Sequence, residues 1–201
     1  MIRRRLQAAA GFSLIELMVT ITLMSILVML AVPSFSEWVQ NNKVRTVSES
    51  LQNGLRLAQT EAVRRSRQVV FSLTNSPNPK TAMAAAANGR NWSLNVVKLL
   101  EDDAPGTSTD SMIESGTFAS VGTDITITGP ISVCFNSVGR VVANQTPGPT
   151  NAVCNIPATL PIAYTVTTAA ATRPLRVTVG LGGQVRMCDP ARSLANAPDG
   201  C

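Results

Sequence analysis

The N-terminal third of the chain opens with a short basic stretch and a long apolar run. Residues 1–10 carry three arginines and no acidic residue, and an apolar segment follows over residues 12–32. As an α-helix, at ~1.5 Å per residue, that segment spans about 32 Å, which matches the hydrocarbon core of a bilayer. Since arginines are retained on the cytoplasmic side, we expect a single-pass membrane protein whose chain after Pro33 lies outside the cytoplasm. In a bacterial cell this places the helix in the inner membrane and the following domain in the periplasm.

One acidic residue interrupts the apolar run. Glu16 lies close to its start, where an ionisable side chain is costly unless it has a partner. A cleaved secretory signal also combines a basic start with an apolar stretch, but its cleavage site needs small residues spaced as A-x-A, and residues 30–33 match that poorly. An ordinary single-span anchor explains the length of the run and leaves the glutamate without a reason. Both alternatives therefore account for less of the pattern than a segment in which Glu16 meets a partner.

A second helical pattern follows Pro33, which is expected to bend or loosen the helix because it lacks an N–H donor. Apolar residues recur there at spacings of three and four, between polar and charged ones: Val44, Val47, Leu51, Leu55, Ala58 and Ala62. This stripe predicts an amphipathic continuation over residues 34–67 that packs on the following domain. The basic run Arg64, Arg65 and Arg67 is expected to be a solvated helix end, with a nucleic-acid role as the alternative.

From residue 68 onward, short β-rich segments alternate with turn residues. We expect strands at residues 68–74, 92–97, 124–128, 131–135, 140–142, 163–167, 175–179 and 184–187. Residues 180–183 could close a hairpin between the last two. Residues 82–87 fit a short helical turn or a loose loop, and residues 101–110 and 144–149 look like exposed loops. The predicted fold class is α+β, with a long N-terminal transmembrane and amphipathic helix packed on a C-terminal antiparallel β domain.

Composition and charge mainly exclude functions. The 17 basic and 12 acidic residues give +5, and setting aside Arg3, Arg4 and Arg5 leaves +2, so global charge says little about partners. The sequence has no histidine and no P-loop, dinucleotide or metal-binding motif, so the common acid–base and triad arrangements are missing. We therefore expect no enzymatic activity, no cofactor and no metal site.

Four cysteines lie in the part of the chain that is expected outside the cytoplasm, where disulfides persist. They allow three pairings. The sequential one, Cys134 with Cys154 and Cys188 with Cys201, is favoured because each pair encloses a loop with Pro and Gly near a strand end. The second bond would pin the C-terminal tail. Zinc is the weaker alternative, since there is no histidine and no C-x-x-C pair.

The start of the apolar run resembles the type IV prepilin processing motif, in the residues Gly11-Phe12-Ser13-Leu14-Ile15-Glu16-Leu17. The resemblance implies that a prepilin peptidase cuts between Gly11 and Phe12 and N-methylates the new first residue. It also implies that Glu16 pairs with the N-terminal amine of a neighbouring pilin, which supplies the partner that this carboxylate needs. The expected organisation is a leader peptide at 1–11, a transmembrane and assembly half-helix at 12–33, an amphipathic half-helix at 34–67 and a pilin-like periplasmic β domain at 68–201.

Three downstream segments, residues 55–65, 133–140 and 183–190, resemble the GspH/FimT group of minor pilins and pseudopilins. FimT-like members belong to type IV pili, and some are similar to DNA receptors in natural transformation that bind through a G-R-x-R motif. Here that position reads Gly183-Gln184-Val185-Arg186, so the first arginine is replaced. GspH-like members belong instead to the pseudopilus of type II protein secretion.

Local positive charge supplies candidate residues for DNA binding. Arg173, Arg176, Arg186 and Arg192 fall within residues 173–192, where Asp189 is the one acidic residue. We expect a FimT-like minor pilin that assembles with other pilins through its N-terminal helix and binds double-stranded DNA without sequence preference. The alternatives are a solvated strand face for these arginines and a GspH-like minor pseudopilin of type II secretion for the whole protein.

Overall fold

The computed structural model describes residues 12–77, 83–97 and 112–201, and the chain divides into two compact units, Met1–Val39 and Gln40–Cys201. Its helix α1 covers Leu14–Arg65, with Pro33 inside it. The helix ends in a Schellman motif: the N–H of Ser66 donates to the Val63 carbonyl, and the N–H of Arg67 donates to the Ala62 carbonyl. Ser66 has φ 50°, the left-handed conformation that stops the helix.

Two antiparallel sheets make up the β domain. The strands are β1 Val69–Thr74, β2 Asn91–Val96, β3 Met112–Thr117, β4 Ile125–Thr128, β5 Ser132–Phe135, β6 Val141–Val142, β7 Ile162–Thr168, β8 Leu175–Val179 and β9 Val185–Cys188. One sheet has the order β3-β2-β1-β5-β6, and the other has the order β4-β7-β8-β9. Val141 in β6 donates its N–H to the Leu181 carbonyl in the β8–β9 turn at 3.0 Å, which links the two sheets.

The core lies between the second half of α1 and the inner faces of both sheets. The predicted stripe is confirmed, because Val47, Leu51, Leu55 and Ala58 are among the helix residues with no exposed surface. Residues of both sheets share their cluster: Val69, Phe71, Leu73, Leu94, Val133 and Phe135 from one, and Tyr164, Val166, Val177 and Val179 from the other. Strand β7 alternates buried and half-buried positions along its whole length, as expected of a sheet with one face in the core.

The strands agree with the sequence pattern to within a residue or two, except for β3. Met112–Thr117 is half exposed and includes Glu114 and Gly116, so it lacks the apolar alternation that marks a strand in sequence. The helical-turn alternative for residues 82–87 is wrong for the described part, because Ala84 and Ala85 form isolated β-bridges with Thr150 and Thr74. The loop expected at residues 101–110 lies outside the described residues.

Candidate functional site

The first unit presents an apolar helix surface. Large apolar side chains from Phe12 to Val32 are exposed there, Phe12 by 85%. Within the part of the chain that the structure describes, α1 is the helix long and apolar enough to cross a membrane, with a mean hydropathy of 2.4 over its most apolar window. Such a surface is unfavourable in water. It is suited to contact with lipid or with other apolar helices.

Glu16 lies in the first turn of this helix and is exposed. Its N–H donates to the Ser13 hydroxyl at 3.3 Å, so Ser13 caps the helix in a Ser-x-x-Glu arrangement, a helix-start signal that is present in the sequence. The positive end of the helix dipole favours a carboxylate at this position. Gly11, on the other side of the expected cut, lies outside the described residues.

The other polar side chains of the apolar run are satisfied within the helix. The hydroxyls of Thr20, Thr22 and Ser25 donate to backbone carbonyls three or four residues earlier, at 2.7–3.1 Å. Residues 12–32 contain one ionisable side chain, that of Glu16. In a membrane, Glu16 is thus the one group of this segment whose charge calls for a partner outside its own helix.

The C-terminal tail, residues 189–201, is held against the sheet of β9. The Arg186 guanidinium donates from Nη2 to the Pro198 carbonyl at 2.6 Å and to the Gly200 carbonyl at 3.0 Å. Arg192 pairs with Asp199 at 3.0 Å between Nη1 and Oδ2. Of these two candidate DNA-binding arginines, Arg186 therefore already bonds to the tail, and Arg192 is paired within it.

Asp189 is the acidic centre of this region and is buried. The N–H of Ala191, donating to Asp189 Oδ1 at 2.9 Å, and then the hydrogen bond from Arg173 hold the pKa of this carboxyl below its usual range, against the opposing effect of burial. Arg173 Nη2 lies 3.3 Å from Asp189 Oδ2, and Arg192 Nε lies 3.9 Å from it. Asp189 thus offsets part of the positive charge that the sequence suggested for DNA.

Arg176 is placed differently from the other three candidates. The register pairs Arg176 with Cys188 and Thr178 with Arg186, so Arg176 and Arg186 share the face of the sheet opposite to the core residue Val177. Arg176 Nε makes a long hydrogen bond, 3.4 Å, to Thr165 Oγ1 on β7. Among the four arginines proposed to bind DNA, Arg176 contributes least to holding the C-terminal tail.

All four cysteines form disulfides. Cys134 bonds to Cys154, and Cys188 bonds to Cys201. This is the sequential pairing, and it leaves no free thiolate for the zinc alternative. Among the described residues, no cluster of three or more His, Cys, Asp or Glu side chains could hold a metal ion.

Two residues of the basic run at the end of α1, Arg64 and Arg65, pair with a glutamate of the same helix. Arg64 Nη2 and Arg65 Nε lie 2.6 and 2.8 Å from Glu61 Oε2. Hydrogen bonds from Arg64 and then Arg65 lower the pKa of Glu61 to about 2. Both arginines remain partly exposed, as expected for a solvated helix end.

The three segments that resemble the GspH/FimT group meet at one point, which we call the glycine junction: Gln59, Gly139 and Gly183. Gln59 Nε2 donates to the Gly139 carbonyl at 3.2 Å. Gly183 has φ +89°, and a Cβ on it would overlap the Gly139 carbonyl oxygen and Gln59 Nε2. Nearby, Arg56 Nη2 donates to the Val185 carbonyl at 3.2 Å and so satisfies an acceptor on the edge strand β9. The sequence does not show that these three segments meet. The positive φ and the close contacts explain the glycine at position 183 without any role in binding DNA.

Comparison with known proteins identifies the family to which the chain belongs. The family model for type II transport protein GspH matches residues 47–183, and the prokaryotic N-terminal methylation motif matches residues 6–32. Among solved structures, the type IV minor pilin FimU of Pseudomonas aeruginosa is 15% identical with a TM-score of 0.46, covering 73% of this chain and 96% of that one. The minor pseudopilin EpsH from the type II secretion system of Vibrio cholerae is 13% identical with a TM-score of 0.45, covering 75% and 99%. No curated protein sequence matches. Because the GspH model covers more than half of the chain, this protein belongs to the family of type II transport protein GspH.

Proposed function

We propose that this protein is a minor subunit of a type IV pilus with a structural rather than a catalytic role. Residues 1–11 are the leader that prepilin peptidase removes, residues 12–33 lie in the inner membrane, residues 34–67 continue the helix, and residues 68–201 form the periplasmic β domain. The observation that carries the proposal is the exposed apolar surface of residues 12–32, which contain one ionisable side chain, Glu16, near their start.

Assembly then consists of moving this apolar surface from lipid to the helices of neighbouring pilins. Apolar packing alone distinguishes poorly between lipid and protein, since both are apolar. A charge pair between Glu16 and the N-terminal amine of a neighbouring Phe12 gives the missing specificity, because a lone carboxylate in the membrane is much more costly than a paired one. The pair therefore fixes the register of one subunit on the next.

The Glu16→Leu variant tests this role. It makes the span more apolar, so membrane insertion should be retained, whereas the amount of protein in sheared filaments should fall at least tenfold. Ser25→Leu is the matched control, because it also adds an apolar side chain to the same run but leaves the carboxylate, and it should assemble normally. If Glu16→Leu enters filaments as well as the control does, the pairing role is wrong.

A second candidate function is that of a minor pseudopilin in type II protein secretion, which the description of the matching family favours. The pilus and secretion functions differ in the proteins that helix α1 contacts. Cross-linking from a photoreactive residue at position 19 or 23 in the producing cells, followed by mass spectrometry, identifies those partners. Type IV pilins as the main products support the pilus, and secretion pseudopilins as the main products overturn it in favour of the second candidate.

We also propose weak binding of double-stranded DNA without sequence preference at Arg173, Arg176, Arg186 and Arg192. The local excess of arginine supports it. The bonds of Arg186 and Arg192 to the tail limit it, since they occupy donors that phosphates would use. We expect the affinity to be low and to fall steeply with salt, as counterion release requires.

Arg176→Ala is the sharpest test of DNA binding, because Arg176 contributes little to holding the tail. Gel shifts of the full mature chain in mild detergent at ~50 and ~200 mM salt measure the affinity and its salt slope. Arg140→Ala is the matched control, since Arg140 is an exposed arginine with the same charge on the turn after β5. Equal loss in both variants would mean that general charge, not this sheet face, binds DNA, and no binding at low salt would contradict the proposal.

A further inference from the structure

Phe35 and Trp38 form an exposed aromatic pair on helix α1. Their ring centroids lie 5.9 Å apart with an interplanar angle of 30°. The side chains are 65% and 62% exposed. A spacing of three residues puts them on the same side of the helix. Two large aromatic rings held together on an exposed surface call for a partner.

The position of the pair along the helix points to that partner. From Glu16 to Trp38 the helix advances about 33 Å, slightly more than the ~30 Å hydrocarbon core of a bilayer. When Glu16 lies at one membrane surface, the rings therefore lie at the other. The pair lies just after the apolar run, where polar residues begin: Ser34, Ser36 and Gln40 are close by in sequence.

The chemistry of the rings fits the same location. Tryptophan has a large apolar body and an N–H that seeks a polar acceptor, which is why this residue is enriched where hydrocarbon meets headgroups. A packed aromatic neighbour such as Phe35 enlarges the apolar body without adding charge. Going one turn back towards the N-terminus from Phe35, the same side of the helix is apolar at Ala31 and Val28, so the pair continues the membrane-facing surface.

We propose that Phe35 and Trp38 are an interfacial anchor that lies among the lipid headgroups of the leaflet opposite the leader peptide. The anchor sets the depth of the subunit in the bilayer, so that Glu16 is held near the other surface. This inference rests on the membrane insertion stated in the proposed function. The partner is the phospholipid headgroup region, and the helix of a second subunit is the competing occupant.

Depth-dependent fluorescence quenching tests the anchor. The full mature chain is reconstituted in phosphatidylcholine–phosphatidylglycerol vesicles that carry bromine at different depths of the acyl chain. The chain has two tryptophans, and Trp92 is buried in the β domain. Subtracting the signal of Trp38→Phe from that of the wild type isolates Trp38, and this substitution at an exposed site keeps an aromatic ring.

The proposal expects at least about twofold stronger quenching of Trp38 by the shallowest bromines than by those near the bilayer centre, as for a residue in the aromatic belt. A double variant, Phe35→Trp with Trp38→Phe, moves the probe about 4.5 Å along the helix and should shift the maximum to the next deeper bromine. Dilution of the protein in lipid should leave both profiles unchanged. Concentration-dependent loss of quenching would assign the rings to a second subunit instead.

Flotation of the same vesicles distinguishes a failure of membrane insertion from a failure of the anchor. If the chain does not float with the lipid, the membrane insertion of the proposed function fails. If it floats while Trp38 is quenched equally at all depths, or not at all, only the anchor is overturned.

Discussion

Gly183→Ala is the substitution for which the structure makes the sharpest stability prediction. Gly183 has φ +89°, where a residue with a Cβ is strained by about 1–2 kcal/mol. The new methyl group would also overlap the Gly139 carbonyl oxygen and Gln59 Nε2 in the glycine junction. Overpacking of this kind costs about 1–3 kcal/mol. We therefore expect Gly183→Ala to lower the free energy of unfolding by about 2–5 kcal/mol in total.

Gly148→Ala is the matched control, because it separates strain from overlap. Gly148 also has a positive φ, +114°, but nothing lies within 4 Å of the position of its missing Cβ. Its substitution should cost only the backbone strain. The reduced entropy of the unfolded chain offsets about 0.4–1 kcal/mol in both variants and therefore cancels in the difference between them. Urea unfolding of the mature protein in mild detergent measures both variants against the wild type, with unchanged m-values as the condition for comparison.

The difference between the free energies of unfolding of the two variants measures the overlap in the glycine junction. If Gly183→Ala is no more destabilising than Gly148→Ala, the close approach of the two turns and the helix is refuted. Adding Gln59→Ala should recover only part of the loss, because truncating Gln59 relieves the contact with its side chain but leaves that with the Gly139 backbone. Complete recovery would mean that the Gly139 contact is not there.

Three further predictions follow from buried and paired side chains. Leu55→Ala should lower the free energy of unfolding by about 2–5 kcal/mol, whereas Val63→Ala, on the exposed side of the same helix, should change it by less than ~0.5 kcal/mol in urea unfolding. Because the pKa of Glu61 is lowered from 4.5 to about 2, its stabilisation is complete above pH 4.5 and is lost as the pH falls through about 2; Glu61→Gln should flatten this part of the unfolding profile. Replacing Cys188 and Cys201 by serine should remove hydrogen-exchange protection from the tail while that of β7 is kept, and loss of protection throughout the domain would contradict a local role.

The local pattern of the sequence determined the elements that depend on neighbours along the chain. Spacings of three and four placed Val47, Leu51 and Leu55 on the buried side of α1, since a helix brings such residues to one face whatever packs there. Alternation of apolar and polar residues located most strands, because successive side chains of a strand point to opposite faces of the sheet. The apolar run with Glu16 indicated an assembling membrane helix because the cost of burying a charge does not depend on the rest of the fold.

Tertiary structure alone decided which groups meet across long separations in sequence. Arg186 and Arg192 looked like free cations in sequence, yet the folded tail brings the carbonyls of Pro198 and Gly200 and the carboxylate of Asp199 to them. The contact of Gly183 with Gly139 depends likewise on the pairing of two sheets, which loop closure and packing determine rather than local pattern. A charge or a glycine can be read from the sequence, but its partner exists only once the chain has folded.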